Sequence, residues 1–329
     1  NHMVIESMQH TPLRYWVVVG ILGAISGVGL IGGWLYQIYN GLGVGGIRQP
    51  VYWGVWIATF VFWIGISHSG TFVSAILRVF KVEYRRPFTR AAELMTTCSL
   101  LVGFMFLGIH IGRIWRAYWI LPYPNQRTLW PNYHSPFLWD EMAIVTYLVG
   151  SSLYLFLPLI PDLAMARDRI ASGWRHKLYS ALSLGWRGTE EQWRHLNAAI
   201  KIFSIVIIPV MFSVHTIVSW DLAMTKAIGW RSSIFAPYFI VGAVYSGLSA
   251  AVTVLIIARS SMKLHYFIRQ EHLDGLVRLV FIFSFVWLYF FFADFLMEWY
   301  AGDAAGHTLI ELQTRGEMAP FWYTMLFFN

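Results

Sequence analysis

The side chains in this sequence that offer chemistry are ionisable groups set in or beside long apolar stretches: His110, Asp140, Glu141, His215, Asp221, Asp294 and Glu298. A charge at the centre of a membrane helix costs about 2.5–3.5 kcal/mol on insertion scales, so such groups are candidates for a functional site. Arg113 follows His110 by three positions, which on an unbroken helix puts both on one face. A histidine and carboxylates gathered beside a guanidinium suit proton acceptance from a substrate hydroxyl. Quinol oxidation asks for this: two protons and two electrons leave, so proton acceptors must line an apolar slot within tunnelling reach of a redox centre. Each residue also has a plainer explanation. A histidine near a helix end is often only hydrogen-bonded, and Asp140 beside Trp139 can simply cap its helix.

A second polar group comprises Ser67, His68, Ser69, Thr71 and Ser74, with Glu93, Thr96 and Thr97 further on. Strung together they form a candidate proton path, although serine and threonine also bond their own helix backbone. Asp294 and Glu298, four apart and so on one helical face, are candidates for the same role in the other half of the chain, or for interhelical hydrogen bonds. A rival reading makes His68, Glu93, Asp294 and Glu298 the lining of an ion path in a transporter or channel. Broken helices would favour it, and Gly103, Gly108, Pro158 and Pro209 leave it open. A bis-histidine haem would have to draw on His68, His110 and His215, which fall on three separate helices at different depths. The single Cys98 excludes disulfides, thiolate zinc and an iron–sulfur cluster held by this chain alone, and no metal site is expected. No phosphate-binding glycine loop, HExxH or nucleophile elbow is present, so hydrolysis and nucleotide chemistry lack support.

The elements that position these residues are membrane helices. Only 12% of the 329 residues are charged, against roughly 25% in soluble domains, and 18% are aromatic, as suits helices meeting lipid headgroups. At about 20 apolar residues per span, seven complete spans are expected: Tyr15–Tyr39, Trp53–Phe80, Ala91–Tyr118, Phe137–Leu159, Ala198–Trp220, Phe235–Ala258 and Leu276–Tyr300. An eighth begins at Phe321 and is cut short, and the chain reads as a fragment of something longer. Backbone amides in hydrocarbon must pair within their own segment, so the fold class is all-α, a polytopic transmembrane bundle. Gly23 and Gly27, then Gly29 and Gly33, have the spacing that lets helices pack closely.

The net charge of +7 arises from basic residues in the loops, which points to membrane orientation and not to nucleic acid. Of the 24 basic residues, one in the tail, five around the second connection, seven around the fourth and four around the sixth share a side. Seven remain for the other side, which places the amino terminus in the cytoplasm. The expected organisation is a cytoplasmic tail (1–14), a first four-helix part carrying the outward site (15–159), a cytoplasmic connection (160–197) and a second part (198–329). Trp174, Leu178, Leu182, Leu184 and Trp193 among charges make that connection an amphipathic helix on the membrane surface, or a docking segment for a partner.

Several motifs carry a family resemblance. Pro122-Tyr-Pro-Asn-Gln-Arg127, Leu129-Trp-Pro-Asn132 and Ser135-Pro-Phe-Leu-Trp-Asp140, preceded by His110-Ile-Gly-Arg113, strongly resemble the NrfD/PsrC-like quinol-interacting membrane subunits. The segment from Phe62 to Gly70, Arg90-Ala-Ala-Glu93 and the segment from His215 to Asp221 extend the likeness over most of the chain. Within these subunits it looks most like the larger ones of bacterial alternative complex III, in particular the quinol-binding paralogue. The resemblance implies two four-helix bundles without haem or cluster in the inner membrane, and a quinol, menaquinol before ubiquinol, bound near the periplasmic face. It implies electrons passed to a periplasmic iron–sulfur subunit and then c-type haem subunits, with a paralogous NrfD-like subunit alongside. It assigns His110, Asp140 and Asp221 to the quinol site, with Arg113 and His215 as neighbours.

Overall fold

The structure, a computed structural model, describes residues 13–47, 54–121, 136–170, 172–223, 232, 234–302 and 304–329. Its regular elements are helical: α1 Leu13–Asn40, α2 Val55–Val79, α3 Thr89–Ile111, α4 Pro136–Arg169, the short α5 Trp174–Leu182, α6 Glu190–Ala223, α7 Phe235–Ser261, α8 Gln270–Ala301, α9 Ala304–Thr314 and α10 Ala319–Phe328. Seven of these, α1 to α4 and α6 to α8, are long and apolar enough to cross a membrane. They alternate in direction. One end of the bundle, here the N-side, holds the start of α1, and the other is the far side.

Contacts between helices agree with that alternation. On the N-side, Arg90 of α3 pairs with Asp162 late in α4. On the far side, Ser232 just before α7 donates to Asp294 near the end of α8 at 2.6 Å. The centre of the bundle is α2, the most buried span. One core packs Phe60 and Ile64 of α2 against Leu100 of α3, Ile144 and Tyr147 of α4, and Met211 and Val214 of α6. On its other flank, Phe72, Val73 and Leu77 pack against Val244 and Leu248 of α7 and Leu276 of α8. In hydrocarbon such contacts hold helices together by shape and dispersion, since lipid tails are as apolar as leucine. The first and second halves of the chain meet where α2 lies on α7 and where α4 lies on α6.

Three features depart from the sequence reading. The third span ends at Ile111, not Tyr118, because Gly112 turns the chain at φ 74°, a conformation L side chains rarely adopt, and a 3-10 turn Ile114–Trp119 follows. The small-residue stripe of α1 packs against nothing among the described residues: outside the helix's own backbone, no atom of theirs lies within 4 Å of where a methyl would sit at Gly23, Gly27, Gly29 or Gly33. Instead α1 is tied down near its far-side end, where Trp34 Nε1 donates to Gly112 O at 3.0 Å and buried Gln37 Nε2 to Ile109 O at 2.7 Å. Those carbonyls lie at the end of α3, where Ile109 O also accepts from Gly112 N at 2.9 Å. The third departure is α9, which the apolar pattern did not mark, lying between α8 and the helix that contains Phe321.

Candidate functional site

On the far side, three helix ends present the first candidate group. His110 stands in the last turn of α3, Asp140 and Glu141 near the start of α4, and Asp221 in the last turn of α6, all half-buried. The carboxyls of Asp140 and Asp221 are within hydrogen-bonding reach of each other. Asp140 Oδ1 and Asp221 Oδ2 are buried and have no partner among the described residues. A hydrogen bond between two carboxyls needs a proton on one of them, so the pair acts as a single proton-holding unit. Glu141 turns elsewhere: it lines a cavity of about 330 Å³ with Leu107, Gly108 and Ile111 at the end of α3 and Tyr118 beyond it. Apart from the acid and Tyr118, the lining is apolar.

Arg113 does not share a helical face with His110, since Gly112 breaks the helix between them. Exposed, it lines a neighbouring cavity of about 610 Å³ with Gln37, Arg116 and Trp119. Ile111, Ile120 and Leu121 belong to the walls of both cavities.

His215 leaves the outward group altogether. It is fully buried in α6, one and a half turns before Asp221, and its ring meets that of His68 on α2 edge to face. Two histidines holding an iron between them would stand on opposite sides of a porphyrin, whereas these rings touch. Sequence placed the two histidines at different depths because helix tilt and stagger are invisible in a residue count. Each is anchored through Nδ1, to Met211 O at 2.9 Å for His215 and to Ile64 O at 3.3 Å for His68. Both Nε2 atoms are buried and unpartnered among the described residues.

From this pair a polar file runs toward the N-side. Tyr147 of α4 packs against both rings, and its hydroxyl meets Thr71 Oγ1 at 2.7 Å and donates to Ser67 O at 3.5 Å. Thr96 of α3 donates to that same Ser67 carbonyl at 2.6 Å. Further on, the Ser74 hydroxyl donates to the buried Glu93 carboxylate, whose Oε2 is unpartnered among the described residues. The expected string thus resolves into two hydrogen-bonded groups, Ser67, Thr71 and Thr96 with Tyr147 beside His68, and Ser74 with Glu93. The side chain of Ser69 lies outside the described residues. Thr71–Ile76 is a π-helical stretch, whose wider turn frees backbone groups and recurs at functional sites.

Tyr147 is the residue that sequence reasoning missed. Its signal was there: Asp140, Tyr147 and Tyr154 recur every seven positions and fall on one face of α4. Asp294 and Glu298 stand apart from this file. Both line a far-side cavity of about 490 Å³ with Tyr238 and Trp322, and Asp294 accepts from Ser232. The motifs between Pro122 and Ser135 lie outside the described residues.

Comparison with known proteins bears on this arrangement. A putative dimethyl sulfoxide reductase membrane subunit from Halobacterium salinarum is 29% identical over 246 residues, covering 74% of this chain and 52% of the relative. An Hdr-like menaquinol oxidoreductase integral membrane subunit from Archaeoglobus fulgidus is 25% identical over 152 residues, 46% of this chain and 36% of its own length. A selenate reductase subunit from Mesobacillus selenatarsenatis is 23% identical over 253 residues, 74% and 55% respectively. The chain thus spans about half or less of the length of these relatives. The family model described as "Polysulphide reductase, NrfD" matches residues 43–328, which takes in α2 to α10 and every candidate residue above. This multi-pass membrane protein, with seven helices apolar enough to span a membrane and polar groups buried among them, belongs to the NrfD polysulphide reductase family.

Proposed function

We propose that this chain is the quinol-binding membrane subunit of an oxidoreductase complex and that it takes protons from quinol at the far side of the membrane. The observation that carries the reading is the Asp140–Asp221 carboxyl pair, with its two unpartnered oxygens, at helix ends, Asp140 being adjacent in sequence to Glu141, which lines an apolar cavity. The quinol ring enters that cavity from the lipid. As it is oxidised its two hydroxyl protons pass to the carboxyl pair and His110, with Glu141 completing the polar wall and Arg113 lining the neighbouring cavity. Its two electrons leave to an iron–sulfur group of a partner subunit. A relative named as a menaquinol oxidoreductase subunit supports menaquinol as the substrate. The motif-level likeness to alternative complex III supports c-type haem acceptors and a paralogous membrane partner, with the N-side in the cytoplasm of a bacterial inner membrane.

The test is quinol-dependent electron transfer in the purified complex carrying Asp140→Asn. A rate reduced about a hundredfold or more supports the assignment; a wild-type rate sinks it.

The buried polar groups between Glu93 and His215 favour a second role on top of the first, in which quinol oxidation drives protons along them. On this reading Glu93→Gln abolishes proton uptake in proteoliposomes while electron transfer continues. Unchanged proton uptake in that variant removes the second role and leaves the first standing. Asp294 and Glu298 would serve the same traffic from their own cavity.

A further inference from the structure

Four arginines meet on the N-side around a cavity of about 270 Å³: Arg78, Arg85, Arg86 and Arg90. Two of them are neutralised locally. Arg90 pairs with Asp162 and donates to Pro158 O at 3.1 Å, and Arg86 pairs with Glu83 at 2.7 Å. Arg78 and Arg85 make no ion pair among the described residues. The Nε of each is buried without a hydrogen-bond partner among those residues, and the two charges are close enough to repel. What they do contact is weak: Arg85 Nη1 reaches Thr89 Oγ1 at 3.4 Å, the Arg78 guanidinium lies 6.0 Å from the centre of the Tyr154 ring, and the Glu93 carboxylate, which lines the same cavity and accepts from Ser74, attracts both without forming an ion pair.

Guanidinium donors left buried and unpaired are costly, and the natural remedy is an anion with several acceptor oxygens bridging two planar forks. The depth of the cavity narrows the choice. Arg78 ends α2, Arg85 just precedes α3, Pro161 is late in α4 and Trp193 opens α6, so its walls are the ends of four spans. That is headgroup level, where tryptophan settles and basic pockets between helices hold acidic lipids.

We propose that this cavity binds a phosphate group between Arg78 and Arg85, supplied by an anionic phospholipid of the N-side leaflet. The inference is independent of the quinol reading. It is tested on the purified complex, stripped of lipid in detergent and titrated with dioleoyl phosphatidylglycerol, dioleoyl phosphatidylcholine or sodium phosphate, with adducts resolved by native mass spectrometry. One phosphatidylglycerol is expected to bind at least tenfold more tightly than phosphatidylcholine. The preference should be lost in the double variant Arg78→Gln with Arg85→Gln and kept in Arg116→Gln on the far side. Inorganic phosphate binding as tightly as the lipid, and lost in the same double variant, would overturn the lipid as the source while keeping the phosphate site. Equal binding of the two lipids by the wild-type complex overturns the proposal without any variant. Unchanged lipid preference in a folded double variant does so too.

Discussion

At the scale of residues, Asp140 and Asp221 operate as a unit, because a proton between two touching carboxyls belongs to neither alone. Groups that act together are non-additive when removed. Asp140→Asn and Asp221→Asn should therefore each cost about a hundredfold or more in quinol-dependent rate, and the double variant little more than the worse single one. Multiplying losses would show that the two carboxyls act separately. Tyr147 offers a test of the buried file. Tyr147→Phe removes the hydroxyl that meets Thr71 and keeps the ring against His68 and His215. A loss of about 1 kcal/mol in unfolding free energy is expected in detergent. The carboxylates and histidines were legible in the sequence because charge inside an apolar run is conspicuous. Tyr147 was not, since a tyrosine there is equally at home in a lipid-facing belt or a core.

Elements decide how closely those residues meet. Where α2 crosses α3, a methyl on Gly70 would overlap Ala92 O and Thr96 Oγ1, so this glycine sets the separation of the helices and the reach from Ser74 to Glu93. Gly70→Ala should destabilise by about 1–3 kcal/mol through forced displacement of backbone. Gly27→Ala on α1 meets open space and, in the isolated chain, should leave stability unchanged or slightly raised, since alanine is the better helix former by up to about 1 kcal/mol. Thermal unfolding of both variants in one detergent checks the contrast, and equal losses would contradict the packing described. Both glycines look alike in the sequence. Only the path of the neighbouring helix separates them.

For the whole molecule, the proposed sidedness rests on charge: the N-side carries most of the arginines and lysines, and such a bias marks the cytoplasmic side in membrane proteins. In a Cys98→Ser background, Ser172→Cys, exposed between α4 and α5, should react with a membrane-impermeant maleimide in inside-out vesicles and not in right-side-out ones. The opposite pattern would invert the orientation and put the quinol site on the cytoplasmic face. By itself the amino-acid sequence determined that this chain is a bundle of seven membrane helices with ionisable groups toward one side. Hydropathy and backbone pairing leave no other solution in lipid. Tertiary structure alone decided which of those groups meet. Asp140 finds Asp221, His215 finds His68 and not the outward cluster, and Arg113 is turned away by Gly112. The reason is that contacts between helices depend on rotation, tilt and stagger, which a list of residues along one helix does not contain.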